Sequence, residues 1–364
     1  MVVVLFRIVA AFLLYMPRRI LFAIRSKLGD TLISYAAARA YVDAHPEDDV
    51  TLLTRSDYAQ LLAGETGLRV IGFDSRIEMR AKLLWLRLSE PAFDVLAVLW
   101  GSGPPIAAIG RGVKAARKIA WNNKFAPDVF EQGNLQPDPL LVEPAMSVIH
   151  AFEPTLLAPR RLRIPSLVAR YASQPRREGQ EVIGVVPIAD ELRRNFDAPT
   201  LLILLAELRR RHPQARLRVF ANPRNAGAPE LLRTPLPANC EWRDFRDLRD
   251  LLTQYMELTA WYGTDTGLYH LAVATGIPAT VFFGPTQPHK IFMPEQPAAS
   301  WVRLEALGDM HCEQKACTRP CCLHQAVADF CGVPGPTRLD ETPADCPLRP
   351  FSATLGQVHV HAPL

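Results

Sequence analysis

The residues best suited to chemistry lie in the run Trp261 to Pro288, WYGTDTGLYHLAVATGIPATVFFGPTQP. Thr264-Asp265-Thr266-Gly267 reads as a turn between a strand and a helix. The first N–H groups of a helix have no intrahelical partners, so such an end attracts phosphate. His270 lies three residues past Gly267 and shares about the same helix face. The bland alternative is that Thr and Asp cap the helix and a neighbour satisfies the histidine. Against it, a histidine gains nothing electrostatically at a helix N-terminus. The turn predicts a phosphate or ribose contact.

Two further clusters carry charge in loop positions. Arg25-Ser26-Lys27-Leu28-Gly29-Asp30 follows a short apolar run, and Asp30 opens the next helical stretch. Asp30 reads either as an N-cap or as a carboxylate at the C-terminal edge of a parallel sheet, where ligands of open α/β folds bind. In the second role it could take a proton from a hydroxyl nucleophile. Arg193-Arg194-Asn195-Phe196 follows a later apolar run. Those arginines either clamp a diphosphate or form a solvated basic loop. There is no Walker loop, GxGxxG, HExxH or GxSxG, which removes support from ATPase, dinucleotide, zinc-protease and nucleophile-elbow readings.

These clusters need elements to hold them. The first half reads as strands Ile20–Ile24, Val50–Thr54, Ala92–Leu99 and Arg117–Trp121, with a helix over Thr31–Val42. From about Gln136 to Gly179 the pattern weakens among prolines and arginines, with a helix over Ala145–Phe152. Alternation restarts with strand Glu181–Val186, helix Thr200–Arg211, strand Leu217–Phe220 and helix Leu248–Met256. Strands alternating with helices indicate parallel βαβ units. The chain is therefore α/β, with two Rossmann-like units. The expected division is an apolar extension over 1–17, a first domain over 18–165, a linker over 166–180 and a second domain over 181–364.

At this point the chain resembles glycosyltransferase family 9, the bacterial heptosyltransferases of lipopolysaccharide core synthesis. The resemblance rests on Lys27-Leu28-Gly29-Asp30 after the first strand, a basic residue before an aromatic at Arg194–Phe196, Asp265-Thr266-Gly267-Leu268-Tyr269-His270, and Gly284-Pro285-Thr286. It covers roughly residues 18–295. It implies a GT-B fold, two Rossmann-like domains with a cleft between them. It also implies an inverting sugar transfer from a nucleotide sugar such as ADP-heptose to a lipopolysaccharide-core acceptor. Carried over residue by residue, Asp30 becomes the catalytic base. Arg194, Thr264, Asp265, Thr266, Gly267 and His270 become donor contacts, and Lys27 and Gly29 lie on the acceptor side. The ADP-sugar is a substrate, and no further cofactor is expected. Three departures stand out: Phe196 replaces a tryptophan, the Arg25–Asp30 loop is one residue shorter, and Ile33-Ser34-Tyr35-Ala36 replaces a proline-containing stretch. The rival readings are a nucleotide-sugar epimerase, a transferase acting on a protein acceptor, and a non-catalytic scaffold.

Composition sets the remaining bounds. The chain has 364 residues, is 49% apolar and 21% charged, and carries a net charge of +4, too little to imply nucleic-acid binding. Val2–Met16 is apolar apart from Arg7. It is short for a membrane span and a poor match to a secretory signal. It reads as an interfacial anchor, a buried element, or sequence upstream of a start at Met16. The expected place is the cytoplasm, with peripheral contact to the inner face of the membrane through a lipid-linked acceptor. Six of seven cysteines lie late in the chain: Cys312, Cys317, Cys321, Cys322, Cys331 and Cys346. Thiolates at such density suit zinc or iron, but their spacings are irregular and contain no CxxC pair, so unligated thiols are the preferred reading.

Overall fold

A computed structural model describes residues 17–133, 142–175, 181–222, 224–225, 227–284, 286–288, 291, 293, 295–296, 299–304, 321–333 and 358–361. The expectations for residues 1–15, Cys312, Cys317 and Cys346 fall outside that set. Two compact units divide the chain. One holds residues 1–26 and 33–159, and the other holds Lys27–Leu32 with Arg160–Leu364.

In the first unit the elements run β1 (Arg19–Ile24), α1 (Leu28–Ala44, of which Leu28–Leu32 fall in the other unit), β2 (Asp49–Arg55), α2 (Ser56–Leu62), β3 (Arg69–Phe73), α3 (Arg76–Ser89), β4 (Phe93–Trp100), α4 (Pro104–Gly112), β5 (Ala115–Ala120), β6 (Glu131–Gln132) and α5 (Glu143–His150). The strands form a parallel sheet in the order β3-β2-β1-β4-β5-β6. Strand β1 is a continuous apolar run, and Ile20 to Ile24 are buried. Such a run marks a strand covered on both faces.

The second unit runs α6 (Pro165–Ala172), β7 (Val182–Val186), a 3-10 turn (Leu192–Arg194), α7 (Ala198–Arg211), β8 (Arg216–Phe220), α8 (Ala228–Leu231), β9 (Cys240–Arg243), α9 (Leu248–Tyr255), β10 (Ala260–Thr264), α10 (Gly267–Thr275), β11 (Ala279–Phe282), β12 (Ala299–Leu304), α11 (Cys321–Phe330) and β13 (Val358–His361). Its sheet has the order β13-β12-β11-β10-β7-β8-β9 and is parallel apart from the antiparallel edge strand β13. Asp197 caps α7 by accepting the Thr200 N–H, and basic residues crowd its last turn, both favourable to the helix dipole.

Strand order reverses direction between β1 and β4 in the first sheet and between β7 and β10 in the second. Open α/β sheets bind ligands in the crevice beyond the strand C-termini at such a switch point. Asp30 and Arg25 follow β1, Arg194 follows β7, and Asp265 follows β10. The chain order alone therefore delivers the charged clusters to the two switch points.

Several expectations change. Asp30 is not an N-cap: α1 begins at Leu28, which makes Asp30 the third residue of the helix. Helix α6 occupies the start of the stretch expected as a linker. The tail past Pro294, where regular structure is hard to read in the sequence, supplies β12, α11 and β13. Cys322 sits in the core cluster of the second unit, and Cys331 packs against it. Burial pushes the Cys331 thiol up to about 12, with Glu207 adding to the rise. Among the described residues no three His, Cys, Asp or Glu side chains are grouped as metal ligands, and no helix is long and apolar enough to cross a membrane.

The packing at the second switch point is tight enough to test. Gly263 pairs with Val186 across β10 and β7. A Cβ added there would run into the Val186 carbonyl oxygen and come 2.8 Å from the Trp261 ring. Gly263→Ala should destabilise the fold by about 1–3 kcal/mol, seen as a lower urea midpoint. An unchanged midpoint would mean that these strands are not packed this closely.

Candidate active site

The core of the site is an ion pair. The Arg194 guanidinium donates through Nη1 to Asp265 Oδ2 at 3.0 Å and through Nη2 to Glu191 Oε1 at 3.0 Å. Its Nε is buried without a hydrogen-bond partner among the described residues. The Asp265 side chain is only 5% exposed. Burial raises its pKa, and Arg194 and a hydrogen bond from Thr286 oppose the rise. The pair joins the loops after β7 and β10, across the switch point of the sheet.

This pairing decides the capping question. Thr266 stands at the N-cap of α10 with extended backbone and makes no side-chain cap bond. Asp265 spends its carboxylate on Arg194 and Thr286. Neither side chain caps the helix, and the N-terminal end of α10 lies one residue from the paired carboxylate. The Thr264 hydroxyl is buried with no partner among the described residues.

His270 is buried on the first turn of α10, with its ring 5.1 Å from that of Tyr269 at an interplanar angle of 60°. Burial, with Arg194 adding to the effect, lowers its pKa to about 3. The imidazole is therefore neutral, able to donate through one nitrogen and accept through the other.

The segment Lys27–Leu32, which includes the first turn of α1, belongs to this unit. A Cβ placed on Gly29 would come 3.0 Å from His270 Cδ2 and 3.4 Å from the Gly267 Cα. One placed on Gly267 would come 3.0 Å from the Gly29 nitrogen. Each glycine leaves space for the other's backbone, which sets the partly buried Asp30 one residue beyond the close approach. Lys27 pairs with Asp190 at 2.8 Å, but both side chains are more than half exposed, so the pair adds little stability.

The Arg194 loop is held by Asn195, Phe196 and His324, of which only His324 was missed in the sequence. Asn195 Oδ1 accepts the Ala189 N–H at 2.7 Å, and the Phe196 N–H donates to the Pro187 carbonyl at 2.8 Å. Phe196 is buried edge-on to Phe282, so an aromatic here serves the core. His324 on α11 is buried, with Nε2 at 3.3 Å from the Asn195 carbonyl and Nδ1 at 3.4 Å from Asp197 Oδ2. Burial lowers its pKa, against the opposing pull of Asp197 and the Asn195 contact. Gly284, in the Gly-Pro-Thr stretch, admits the same helix: a Cβ there would come 2.9 Å from Leu323 Cβ. No periodicity in the cysteine-rich tail advertises α11.

The switch point of the first unit has its own chemistry. The Arg25 N–H donates to the Trp100 carbonyl at 2.9 Å, joining the ends of β1 and β4. The rings of Trp100 and Trp121 stack at 5.2 Å and 22°, and Trp121 Nε1 donates to the Gly101 carbonyl at 3.2 Å. The Arg25 pKa is lowered by burial and by the charges of Arg76 and Arg55. Arg25 thus feels the positive charges of Arg76 and Arg55 beyond the strand ends, while Arg55 itself is paired with Asp57 at 3.4 Å and lies over the Tyr58 ring. Spacing in the sequence does not reveal this grouping, because only the sheet order brings the three loops together.

No protein-family model matches the sequence, and no curated protein matches it either. Solved structures do. A glycosyl transferase family 9 structure from Veillonella parvula is 13% identical with a TM-score of 0.63, and the match covers 78% of this chain and 86% of that one. The Escherichia coli ADP-heptose lps heptosyltransferase II is 19% identical with a TM-score of 0.62, covering 83% and 95%. The E. coli heptosyltransferase WaaC with ADP is 16% identical with a TM-score of 0.61, covering 75% and 89%. The protein shares the two-Rossmann GT-B fold of these glycosyltransferase structures.

Proposed function

We propose that the protein is an inverting glycosyltransferase that moves a sugar, heptose by preference, from an ADP-sugar to a lipopolysaccharide-core-type acceptor. The observation that carries this reading is Arg194, held by buried Asp265 beside the N-terminus of α10 at the sheet's switch point. A guanidinium and a helix start together suit a diphosphate, whose negative charge grows as the sugar leaves. The E. coli heptosyltransferase WaaC, which has the same fold, is known with ADP and with ADP-2-deoxy-2-fluoro heptose, and this supports the choice of donor.

In this reading Asp30 takes the proton from the acceptor hydroxyl as that oxygen attacks the anomeric carbon. The oxygen–proton bond and the bond from sugar to diphosphate break, the new glycosidic bond forms, and the anomeric centre inverts. Asp30 is in the first turn of α1, where the helix dipole favours its ionised form. Neutral His270 and the Thr264 hydroxyl supply hydrogen bonds to the donor without adding charge. The Arg25, Arg55 and Arg76 cluster fits the acidic groups of a core acceptor, and the stacked Trp100 and Trp121 offer an apolar wall for a sugar face.

Three results test this. Asp30→Asn should lower turnover by about 10²-fold or more with donor affinity within twofold. Retained turnover would reject Asp30 as the base. Arg194→Lys should weaken ADP binding by roughly tenfold, because a point charge replaces a two-pronged donor. Unchanged ADP affinity would remove Arg194 from the donor site, and turnover of the nucleotide sugar without any acceptor would favour an epimerase.

The third concerns pH. The His270 pKa of about 3 lies below the ordinary 6.5, so the unfolded chain binds this proton first. Stability is full above pH 6.5 and falls as pH drops from 6.5 toward 3. Buried His324 acts in the same direction. His270→Asn should reduce the loss of stability between pH 7 and pH 5, read from urea midpoints. An unchanged loss would mean that His270 is not buried in its neutral form.

A further inference from the structure

Helix α3 presents apolar side chains on two opposite faces. Met79, Leu83 and Leu86 are buried in the core of the first unit. Ile77, Leu84, Trp85 and Leu88 are 82%, 56%, 50% and 75% exposed, and Ala81 is exposed between them. At about 100° per residue these five positions fall in a single stripe, roughly opposite the buried face. Scattered exposed apolar residues need no explanation, but a continuous stripe along a 14-residue helix does.

The charges on α3 are also sorted. Arg76, Arg80 and Arg87 form one row along the edge of the exposed stripe, and all three are exposed. On the other edge the acidic Glu78 is paired with Lys82 at 2.6 Å, and Lys82 also donates to the Gly72 carbonyl. The edge of the stripe is therefore positive on one side and neutralised on the other. The row begins at Arg76, which belongs to the arginine cluster at the end of the sheet, so the positive field continues from the helix to the switch point.

The geometry points to α3 as an interfacial helix whose outward face seats the protein on an anionic lipid surface. An apolar stripe bearing a tryptophan and edged by arginines is the composition that lies in the headgroup layer. Leu84, Trp85 and Leu88 enter the boundary between headgroups and acyl chains, while Arg76, Arg80 and Arg87 meet lipid phosphates. A second copy of the chain is the less suitable occupant. Facing two such stripes antiparallel would line up the arginine rows of both copies along one seam, and facing them parallel would set each row against the other copy's Glu78, which Lys82 already neutralises. This docking does not depend on the reaction assigned above, because it is read without turnover.

The test is sedimentation of the full-length protein with vesicles. Binding is expected to phosphatidylglycerol–phosphatidylcholine vesicles at about 0.1 M salt, and little to phosphatidylcholine alone, with affinity falling as salt rises. The triple substitution Leu84→Ser, Trp85→Ser, Leu88→Ser should weaken binding by roughly tenfold or more, since it removes the buried apolar face. Arg80→Gln with Arg87→Gln should weaken binding and flatten its salt dependence while leaving the urea midpoint unchanged. Absence of binding to the anionic vesicles, or both variants binding like the wild type, would overturn the proposal. So would a dimer in sedimentation velocity that the triple substitution splits, because the occupant would then be a second copy.

Discussion

The buried pairing of Arg194 with Asp265 is the constraint on which the second unit's site is built. Two neighbouring strands diverge in connectivity at β7 and β10, and nothing in the sheet ladder fixes the loops beyond them. The ion pair does so, with one partner from each loop. Removing Arg194 would leave the buried Asp265 carboxylate without its cation, a loss of about 3–5 kcal/mol for buried pairs, whereas removing Asp265 would still leave Arg194 paired with Glu191. The loops, the Thr266 helix start and the guanidinium are consequently positioned together. His324 secures the same loop from the side of the core, through the Asn195 carbonyl and Asp197.

The first unit uses its switch point in the opposite electrostatic sense. There the Arg25 N–H joins β1 to β4 through the Trp100 carbonyl, and burial together with the charges of Arg76 and Arg55 lowers the Arg25 pKa, although Arg55 is itself paired with Asp57. Like charges near a strand edge lower stability, and an anion would offset them. One unit thus holds a cation in place with carboxylates, and the other sets Arg25 near like charge.

The strands that carry these sites were legible because each is a short apolar run bounded by turn residues. Ile20–Ile24 and Glu181–Val186 were located to within a residue at each end. The positions of Asp30, Arg194 and Asp265 at strand C-termini followed from that alternation. What stayed hidden depends on contacts distant in sequence. Thr266 and Asp265 look like capping residues until Arg194 and Thr286 are seen to engage the carboxylate. Asp30 looks like an N-cap because Gly29 disfavours a helix interior, yet Leu28 and Gly29 are already in α1. Helix α11 was obscured by cysteines that suggest metal, although Cys322 and Cys331 serve the apolar core.

The two carboxylates on Arg194 are not equivalent, and that difference bears on how a diphosphate could be received. Asp265 is 5% exposed and Glu191 is 40% exposed. A guanidinium that turns toward phosphate must release part of an existing contact. Releasing Asp265 would strand a buried carboxylate whose pKa burial already raises. Releasing Glu191 costs less, because water can reach it and Arg193 still donates to its Oε2 at 2.6 Å. On the proposed function, Glu191 would therefore be the partner that yields and Asp265 the one that stays. The Arg194 Nη2 and the N-terminus of α10 would then face the diphosphate, with Nη1 still anchored. Such a site would hold its cation oriented before a donor arrived, leaving little reorganisation for the reaction itself.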